Sequence, residues 1–243
     1  MTLLQDIKEL KKKIDHLRPL TTSELAELHK WYLVTYTYHS NALEGNTLSL
    51  GETKLVVEDG ITVGGHPLRE ILEATNHKEI VERLIAIVQK KTPITESLVK
   101  KLHKTLIKEI DDATAGTYRK IQVYITGEEQ LPPPAKEIPG RMKEFFAWLE
   151  TQKKINPAIL AAQAHYRFVK IHPFTDGNGR LARVLSNLIL MSAGYPLVII
   201  PVVLRAKYLA ALHSSNNEKT FVVFFQEVLK ENMKDYIRMV GKE

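Results

Sequence analysis

The sequence contains no cysteine, which excludes disulfide bonds and thiolate metal sites. This absence fits a reducing compartment, and we expect a cytoplasmic protein because Met1 to Leu17 lack the apolar stretch of a signal peptide. A membrane span is not expected either. The longest charge-free run, between Arg183 and Arg205, is interrupted by Ser, Asn, Gly and Pro. It predicts a buried helix ending at Gly194, followed by a buried loop.

Aromatic residues are also sparse, at 7% of the 243 residues, although the chain is basic, with a net charge of +6. A basic chain can bind nucleic acid or another anion. However, no stripe of alternating basic and aromatic residues is present, and lysine runs such as Lys11 to Lys13 are typical of a solvated surface. Nucleic acid is therefore not the expected partner. The remaining composition, 44% hydrophobic and 26% charged, is that of a globular domain with a sizeable core.

Apolar residues recur at helical spacing along most of the chain, in stretches at 68–88, 98–110, 142–149 and 221–229. Three helix starts carry capping signals: Thr21 with Glu24, Ser49 with Glu52, and Asn156 before Pro157. The sequence therefore predicts an all-α bundle.

One segment differs from this pattern. Ile121, Val123 and Ile125 alternate with polar residues, a Thr-Gly turn follows, and three consecutive prolines begin at Pro132. Alternation with turn residues is typical of a strand, so a small β-hairpin is predicted at about 118–134.

Residues 172–183 read His-Pro-Phe-Thr-Asp-Gly-Asn-Gly-Arg-Leu-Ala-Arg, between two apolar helical stretches. Gly177 and Gly179 allow tight turns and close approach of a ligand. The second helix begins here, and helix N-termini bind phosphate through unpaired N–H groups. Arg180 and Arg183 are three residues apart and share one face. The segment therefore predicts an anion-binding loop.

Two further side chains of this loop indicate chemistry. Asp176 is a single carboxylate beside the predicted phosphate site, an arrangement that suits Mg²⁺. His172 lies just upstream and can act as a general base. Each residue alone has an ordinary structural explanation, but their combination in one short loop favours a catalytic function.

The segment resembles the signature of the Fic family, His-Pro-Phe-x-Asp/Glu-Gly-Asn-Gly-Arg-x-x-Arg, at every fixed position. The resemblance covers roughly residues 35–230. Residues 116–119 and the strand after them are similar to the flap of that family, and residues 187–196 are similar to the helix that follows its signature.

The resemblance implies the Fic fold and a protein adenylyltransferase, which moves AMP from ATP to a protein hydroxyl. His172 would deprotonate the hydroxyl, and Asp176 would hold Mg²⁺. The nucleotide would be held by a set of loop and helix residues, with the Asn178 side chain assisting the backbone: Gly177, Asn178, Gly179, Arg180, Arg183, Tyr208 and Asn216. The target segment would pair with the flap at Ile125, Thr126 and Gly127.

A second motif, from Ser40 to Asn46, is similar to the inhibitory motif of the family, Ser/Thr-x-x-x-Glu-Gly/Asn-Asn. The stretch before it is helical, and Gly45 is suited to ending a helix. A carboxylate at Glu44 opposes the helix dipole and so requires a compensating partner. The resemblance implies that Glu44, with Ser40 and Asn46, inhibits the enzyme, with Arg183 as the partner of Glu44.

The expected organisation is an N-terminal helical extension at 1–30 and a Fic domain at 31–243, with the inhibitory helix at about 31–46, the flap and the signature loop. Three alternatives remain open. The same site could remove AMP, it could transfer phosphate or phosphocholine, or the chain could be a nucleic-acid-binding regulator with a vestigial loop. The target, its Ser, Thr or Tyr hydroxyl, and a homodimer are also left open by the sequence.

Overall fold

The structure, a computed structural model, describes residues 2–125, 131–152, 154–213 and 217–241. Over these ranges it forms ten α-helices and no strand. The helices are α1 (Leu3–Asp15), α2 (Thr22–Ala42), α3 (Leu50–Glu58), α4 (Leu68–Gln89), α5 (Glu96–Ile107), α6 (Ile138–Thr151), α7 (Pro157–Ile171), α8 (Asn178–Ser192), α9 (Arg205–His213) and α10 (Glu218–Val240).

The helices α7 and α8 form the centre of the bundle and pack against each other along their length. On one side α10 covers α7, and α1 lies on α10. On the other side α2, α3 and α4 pack together, with α4 against α8 and α5 beside α4. The residues of α8 from 180 to 190 are all buried, so the signature loop begins a helix that is held on all sides.

The predicted helix starts are confirmed. Thr21 Oγ1 accepts from the Glu24 N–H at 3.3 Å, and the Glu24 carboxylate accepts from the Thr21 N–H at 2.7 Å. Ser49 and Glu52 form a second capping box, and Asn156 caps α7, in which Pro157 is the first residue. These reciprocal bonds satisfy N–H groups that a helix start leaves unpaired.

The charge-free run also folds as predicted. The helix α8 ends at Ser192, Gly194 adopts a left-handed φ of 75°, and the loop from 195 to 200 is buried. Within the described ranges, no helix is long and apolar enough to cross a bilayer.

The flap differs from the prediction, because residues 118–125 and 131–134 contain no strand. Side chains join the two arms instead. The Arg119 guanidinium donates to the carbonyls of Ile121 and Pro133, and Gln122 Nε2 donates to that of Pro132 at 3.1 Å. Prolines lack the N–H that a ladder needs, so alternation alone was a poor guide here. Residues 126–130, including the predicted docking residues Thr126 and Gly127, lie outside the described part.

Two boundaries are placed differently from the expectation. The helix α2 begins at Thr22, so the expected boundary at 30/31 falls inside it. It ends at Ala42, and Glu44 lies in the following turn rather than on the helix. At the N-terminus, α1 packs on α10 and its Ile7 is fully buried in the main core. The division into an extension and a Fic domain stays a prediction.

Candidate functional site

The signature loop joins α7 to α8 through two left-handed residues. His172 ends α7 at a φ of 50°, and its N–H donates to the Phe168 carbonyl at 3.0 Å. Gly177 precedes α8 at a φ of 75°. A left-handed conformation disfavours any side chain, and such residues cluster at functional sites. The half-buried imidazole of His172 therefore occupies a position where packing alone would favour Gly or Asn.

The Asn178 side chain closes the loop from within. Its Oδ1 accepts from the Phe174 N–H at 3.0 Å, and its Nδ2 donates to the Phe174 carbonyl at 2.8 Å. Asn178 is 2% exposed. Both polar groups of the side chain therefore shape the loop, and its assistance to phosphate binding stays a prediction that would use the second N–H of Nδ2.

His103, on α5, contacts the signature loop and holds its backbone in place. Sequence reasoning did not identify this residue. Its ring stacks on Phe174 with centroids 3.7 Å apart. Nδ1 accepts from the Gly116 N–H at 2.8 Å, so the proton lies on Nε2, which donates to the Asp176 carbonyl at 3.0 Å. Burial lowers the pKa of His103 to about 4, and the imidazole is neutral at pH 7. Only its place in an apolar stripe was visible in the sequence.

Arg119 fixes the other side of the loop to the flap. Its Nε donates to the His172 carbonyl at 2.8 Å, and its N–H donates to that of Pro173 at 2.9 Å. Arg119 is 3% exposed, and burial lowers the pKa of its guanidinium. The same side chain therefore anchors both the flap arms and the backbone of the predicted base.

Asp176 lies in the signature loop, and 40% of its side chain is exposed. Its Oδ1 accepts from the Gly177 N–H at 2.6 Å, and its Oδ2 bonds to Arg69, which α4 supplies. Burial on its own raises the pKa of this carboxyl, but Arg180, the Gly177 N–H and Arg69 outweigh it and lower the pKa. The group is therefore a carboxylate at neutral pH.

Arg180 is 1% exposed and is held by α4. Its Nη1 lies 3.3 Å from Glu73 Oε1, while Asn46 donates to Glu73 Oε2 at 2.9 Å. Arg69 Nε also donates to Glu73, at 3.3 Å. Asn46, predicted as part of the inhibitory motif, therefore ties the turn after α2 to the carboxylate that holds Arg180.

Arg183 is equally buried, at 2% exposure, and its partners come from α2 and α9. Its Nη2 lies 2.8 Å from Glu44 Oε1 and donates to the Ser40 carbonyl at 2.7 Å, while Nε donates to Ser40 Oγ at 3.0 Å. Burial on its own lowers the pKa of Arg183, but Glu44 and Tyr208 outweigh it and raise the pKa. The structure thus brings Glu44, Ser40 and Arg183 together.

The Glu44 carboxylate also covers the start of α8. A Cβ built on Gly179 would lie 2.2 Å from Glu44 Oε1, so only glycine admits the carboxylate at this distance. The residue that precedes α8, Gly177, has no side chain with which to cap the helix. Glu44 therefore stands against the first turn of the helix, where the sequence predicts phosphate.

Tyr208 lies deeper than its predicted position on the adenine side suggests. It is 2% exposed, and its hydroxyl lies 3.3 Å from Arg183 Nη1 and 3.0 Å from His165 Nε2. Burial raises the pKa of Tyr208 to about 12, so the hydroxyl is neutral. A contact with adenine stays a prediction. Asn216 lies outside the described residues, and Ile125 is half-buried on the flap arm.

Residues 93–190 match the sequence model of the Fic/DOC family. A Fic-domain-containing signalling protein from Bacteroides thetaiotaomicron superimposes with a TM-score of 0.88, at 30% identity over 98% of each chain. A fragment of Fic-1 from Caenorhabditis elegans gives a TM-score of 0.86 at 32% identity, over 98% of this chain and 71% of the fragment.

The curated relatives are longer than this chain. The chain is 34% identical to protein adenylyltransferase fic-1 of Caenorhabditis elegans over 241 residues, which is 97% of this chain and 47% of the relative. The chain therefore spans about half the length of the curated relatives it matches.

Proposed function

The chain belongs to the Fic/DOC family, and we propose that it is a protein adenylyltransferase that Glu44 holds inactive. Relatives named protein adenylyltransferase support the reaction. The observation that carries the regulation is the Glu44 carboxylate, bound to Arg183 at 2.8 Å against Gly179.

In the proposed reaction, the imidazole of His172 accepts the proton of a target hydroxyl. The hydroxyl oxygen then forms a bond to the α-phosphorus of ATP, and the bond to the departing pyrophosphate breaks. The N–H groups of Asn178 and Gly179 at the start of α8 bind phosphate oxygens, and the Gly177 N–H joins them when it leaves Asp176 Oδ1. Arg119 and His103 hold the loop backbone, so the base and the phosphate site keep a fixed relative position, on which rate depends steeply.

Asp176 fits the proposed Mg²⁺ site. It is a partly exposed carboxylate with a lowered pKa beside the phosphate site, and Mg²⁺ binds through few carboxylates together with phosphate oxygens and water. No group of three or more His, Asp or Glu side chains suited to a metal was found among the described residues, which agrees with a site completed by the nucleotide. Bound Mg²⁺ would supply charge neutralisation at the phosphates. Arg69 supplies a positive charge to Asp176 in this structure.

Glu44 competes with the nucleotide for Arg183. A carboxylate and a γ-phosphate at one guanidinium repel each other, so ATP bound beside Glu44 is displaced from the aligned position. A charge-assisted hydrogen bond contributes roughly 1.5–3 kcal/mol, which corresponds to about ten- to a hundredfold in the population of the released state. Misplacement of the α-phosphate by about 1 Å is enough to lower the rate about a hundredfold.

The target protein docks on the flap, and the reaction takes place in the cytoplasm. A segment carrying a Ser, Thr or Tyr hydroxyl docks on the flap beside Ile125 by backbone pairing of an extended chain. The absence of cysteine supports a cytoplasmic setting, and a homodimer stays a prediction.

The test compares Glu44→Gly with the parent, using α-labelled and γ-labelled ATP, Mg²⁺ and cell lysate. We expect at least about tenfold more label from the α position in the variant than in the parent, and no increase over the parent from the γ position. The matched control is Glu58→Gly, because Glu58 is also a glutamate at the end of a helix, facing Lys54 at 3.8 Å. It should label like the parent.

Each other outcome has a separate meaning. Label from the γ position alone would replace AMP transfer by phosphate transfer. Equal labelling by parent and Glu44→Gly would remove the inhibitory role of Glu44. Faster loss of label from a modified protein with the parent than with Glu44→Gly would indicate removal of AMP.

A further inference from the structure

A basic surface adjoins the base of the flap, and the proposed reaction does not use it. Two grooves of about 530 and 480 Å³ lie between α5, the turn at 115–117, residues 118–120 and residues 135–139. Lys100 and Gly116 line both grooves, so they form one continuous surface, here called the basic groove.

The charge of the basic groove is almost entirely positive. Its lysines come from α5, from the flap and from the turn after the flap: Lys100, Lys101, Lys104, Lys120 and Lys136. Glu96 is the one carboxylate among the residues that line it, and it already bonds to Lys100 at 2.6 Å. The other four lysines are exposed and have no carboxylate within 4.0 Å in the described part of the chain. A concentration of like charge that the protein leaves uncompensated attracts an anionic partner.

The basic groove lies next to the signature loop, and aromatic contacts connect the two. Lys100 Nζ lies 4.1 Å from the centre of the Tyr118 ring, and Tyr118 packs on Phe174 with ring centroids 5.3 Å apart. Gly116 is needed for its shape, because a Cβ at its φ of 75° would lie 2.9 Å from the Lys100 carbonyl oxygen. The groove is thus a formed surface beside the flap.

We propose that the basic groove binds an acidic segment of the target protein, next to the segment that docks on the flap. This rests on the proposed transferase function, since the groove and the flap would serve the same target. Its lining favours protein over single-stranded nucleic acid. Stacking of bases requires exposed aromatic rings, whereas Tyr118, the one aromatic residue of the lining, is 9% exposed.

The test uses two triple variants of equal charge, both made in the Glu44→Gly background. The first carries Lys101→Glu, Lys104→Glu and Lys136→Glu. The control carries Lys13→Glu, Lys90→Glu and Lys91→Glu, three exposed lysines that do not line the basic groove. Each set exchanges three positive for three negative charges and lowers the formal net charge by the same amount. The probes are a fluorescent peptide of alternating Glu and Ser, its Gln-Ser counterpart, and an oligothymidine.

In this test the parent is the protein that carries Glu44→Gly alone. We expect the Glu-Ser peptide to bind this parent more weakly as the salt concentration rises. Its Kd should rise at least about tenfold in the first variant and change less than about twofold in the control, because surface charges act mainly on nearby partners. The Gln-Ser peptide should bind weakly to all three proteins. Self-labelling from α-labelled ATP should stay at the parental level in both variants.

Equal weakening in the two triple variants would overturn the proposal, since the peptide would then respond to net charge alone. Tighter binding of oligothymidine than of the peptide at physiological salt, lost only in the first variant, would reassign the surface to nucleic acid. Peptide binding needs no ATP, whereas self-labelling needs no peptide. Failure of the groove and failure of the transferase are therefore separate results.

Discussion

The two arginines at the start of α8 are equally buried, at 1% and 2% exposure, but they are held in different ways. Arg183 faces Glu44, which stands on a turn closed by Gly45 and keeps 38% of its side chain exposed. Arg180 faces Glu73, which lies within α4, is 11% exposed and is tied to Asn46 and Arg69. The first carboxylate can leave into solvent with little rearrangement, whereas the second cannot. We infer that Glu44 is a removable inhibitor and Glu73 a permanent support.

The largest expected effect concerns His172. If both arginines bind the nucleotide, proton transfer depends on the imidazole of His172. In the Glu44→Gly background, His172→Ala should lower AMP transfer by roughly a hundred- to ten-thousandfold, the usual contribution of a general base. The affinity for ATP, measured by calorimetry, should change little, because the imidazole acts on the attacking hydroxyl. A transfer rate that matches the parental background would remove His172 from this role.

The next effect compares the two carboxylates by the same substitution. Glu44→Gln removes a charge from a turn, so self-labelling should rise about tenfold or more. The thermal midpoint should fall less than in Glu73→Gln, because Arg183 keeps its hydrogen bonds to Ser40. Glu73→Gln should not raise labelling. It should lower the free energy of unfolding by about 1–3 kcal/mol, because the buried Arg180 loses a charged partner.

Labelling and thermal denaturation of the two variants provide the measurement. If Glu73→Gln activates as Glu44→Gln does, the distinction between an inhibitor and a support is wrong, and both carboxylates restrain the same motion.

The signature loop could be predicted from the sequence because its residues are contiguous. Spacing alone placed His172 at the end of one helix and the glycines and both arginines at the start of the next, and the motif at 40–46 indicated Glu44. Arg69, Glu73 and His103 could not be found in this way. Arg69 and Glu73 are four residues apart, the spacing of an ordinary surface ion pair, and the contact of Arg69 with Asp176 spans 107 positions. His103 was indistinguishable from the apolar stripe around it.

Most of the helical fold followed from periodicity and capping, since both are local properties. The flap did not. Its alternation predicted strands, but pairing depends on which backbone groups of the other arm can donate, and three prolines remove those donors. The two arms are joined by the side chains of Arg119 and Gln122, a solution that residue alternation does not indicate.

On the Arg180 side of the site, His103 makes the free energy of unfolding depend on pH. Burial depresses the pKa of His103 to about 4 from 6.5, so the unfolded state binds the proton more tightly and stability falls as the pH drops from about 6.5 towards 4. The shift corresponds to roughly 3 kcal/mol at most. Thermal midpoints across this window should fall more steeply in the parent than in His103→Gln, which cannot titrate. Parallel curves would mean that other groups dominate the acid response.

The smallest expected effect concerns Arg69, which lies on the Arg180 side of the site. Its guanidinium contacts Asp176, the proposed metal ligand. Its contact with Asp176 is partly exposed on both sides, at 58% and 40% of the side chains, and such pairs contribute about 0.2–1 kcal/mol. A divalent cation that binds Asp176 Oδ2 must displace Arg69. Arg69→Gln should therefore lower the Mn²⁺ concentration for half-maximal binding in the presence of ADP by about two- to fivefold, measured by electron paramagnetic resonance. Arg141→Gln is the matched control, since Arg141 pairs with Glu137 at 47% and 41% exposure away from Asp176. Unchanged Mn²⁺ binding in Arg69→Gln would mean that the cation approaches Asp176 from its Oδ1 side, which faces the Gly177 N–H and Arg180. Arg69 would then serve to support Glu73 instead.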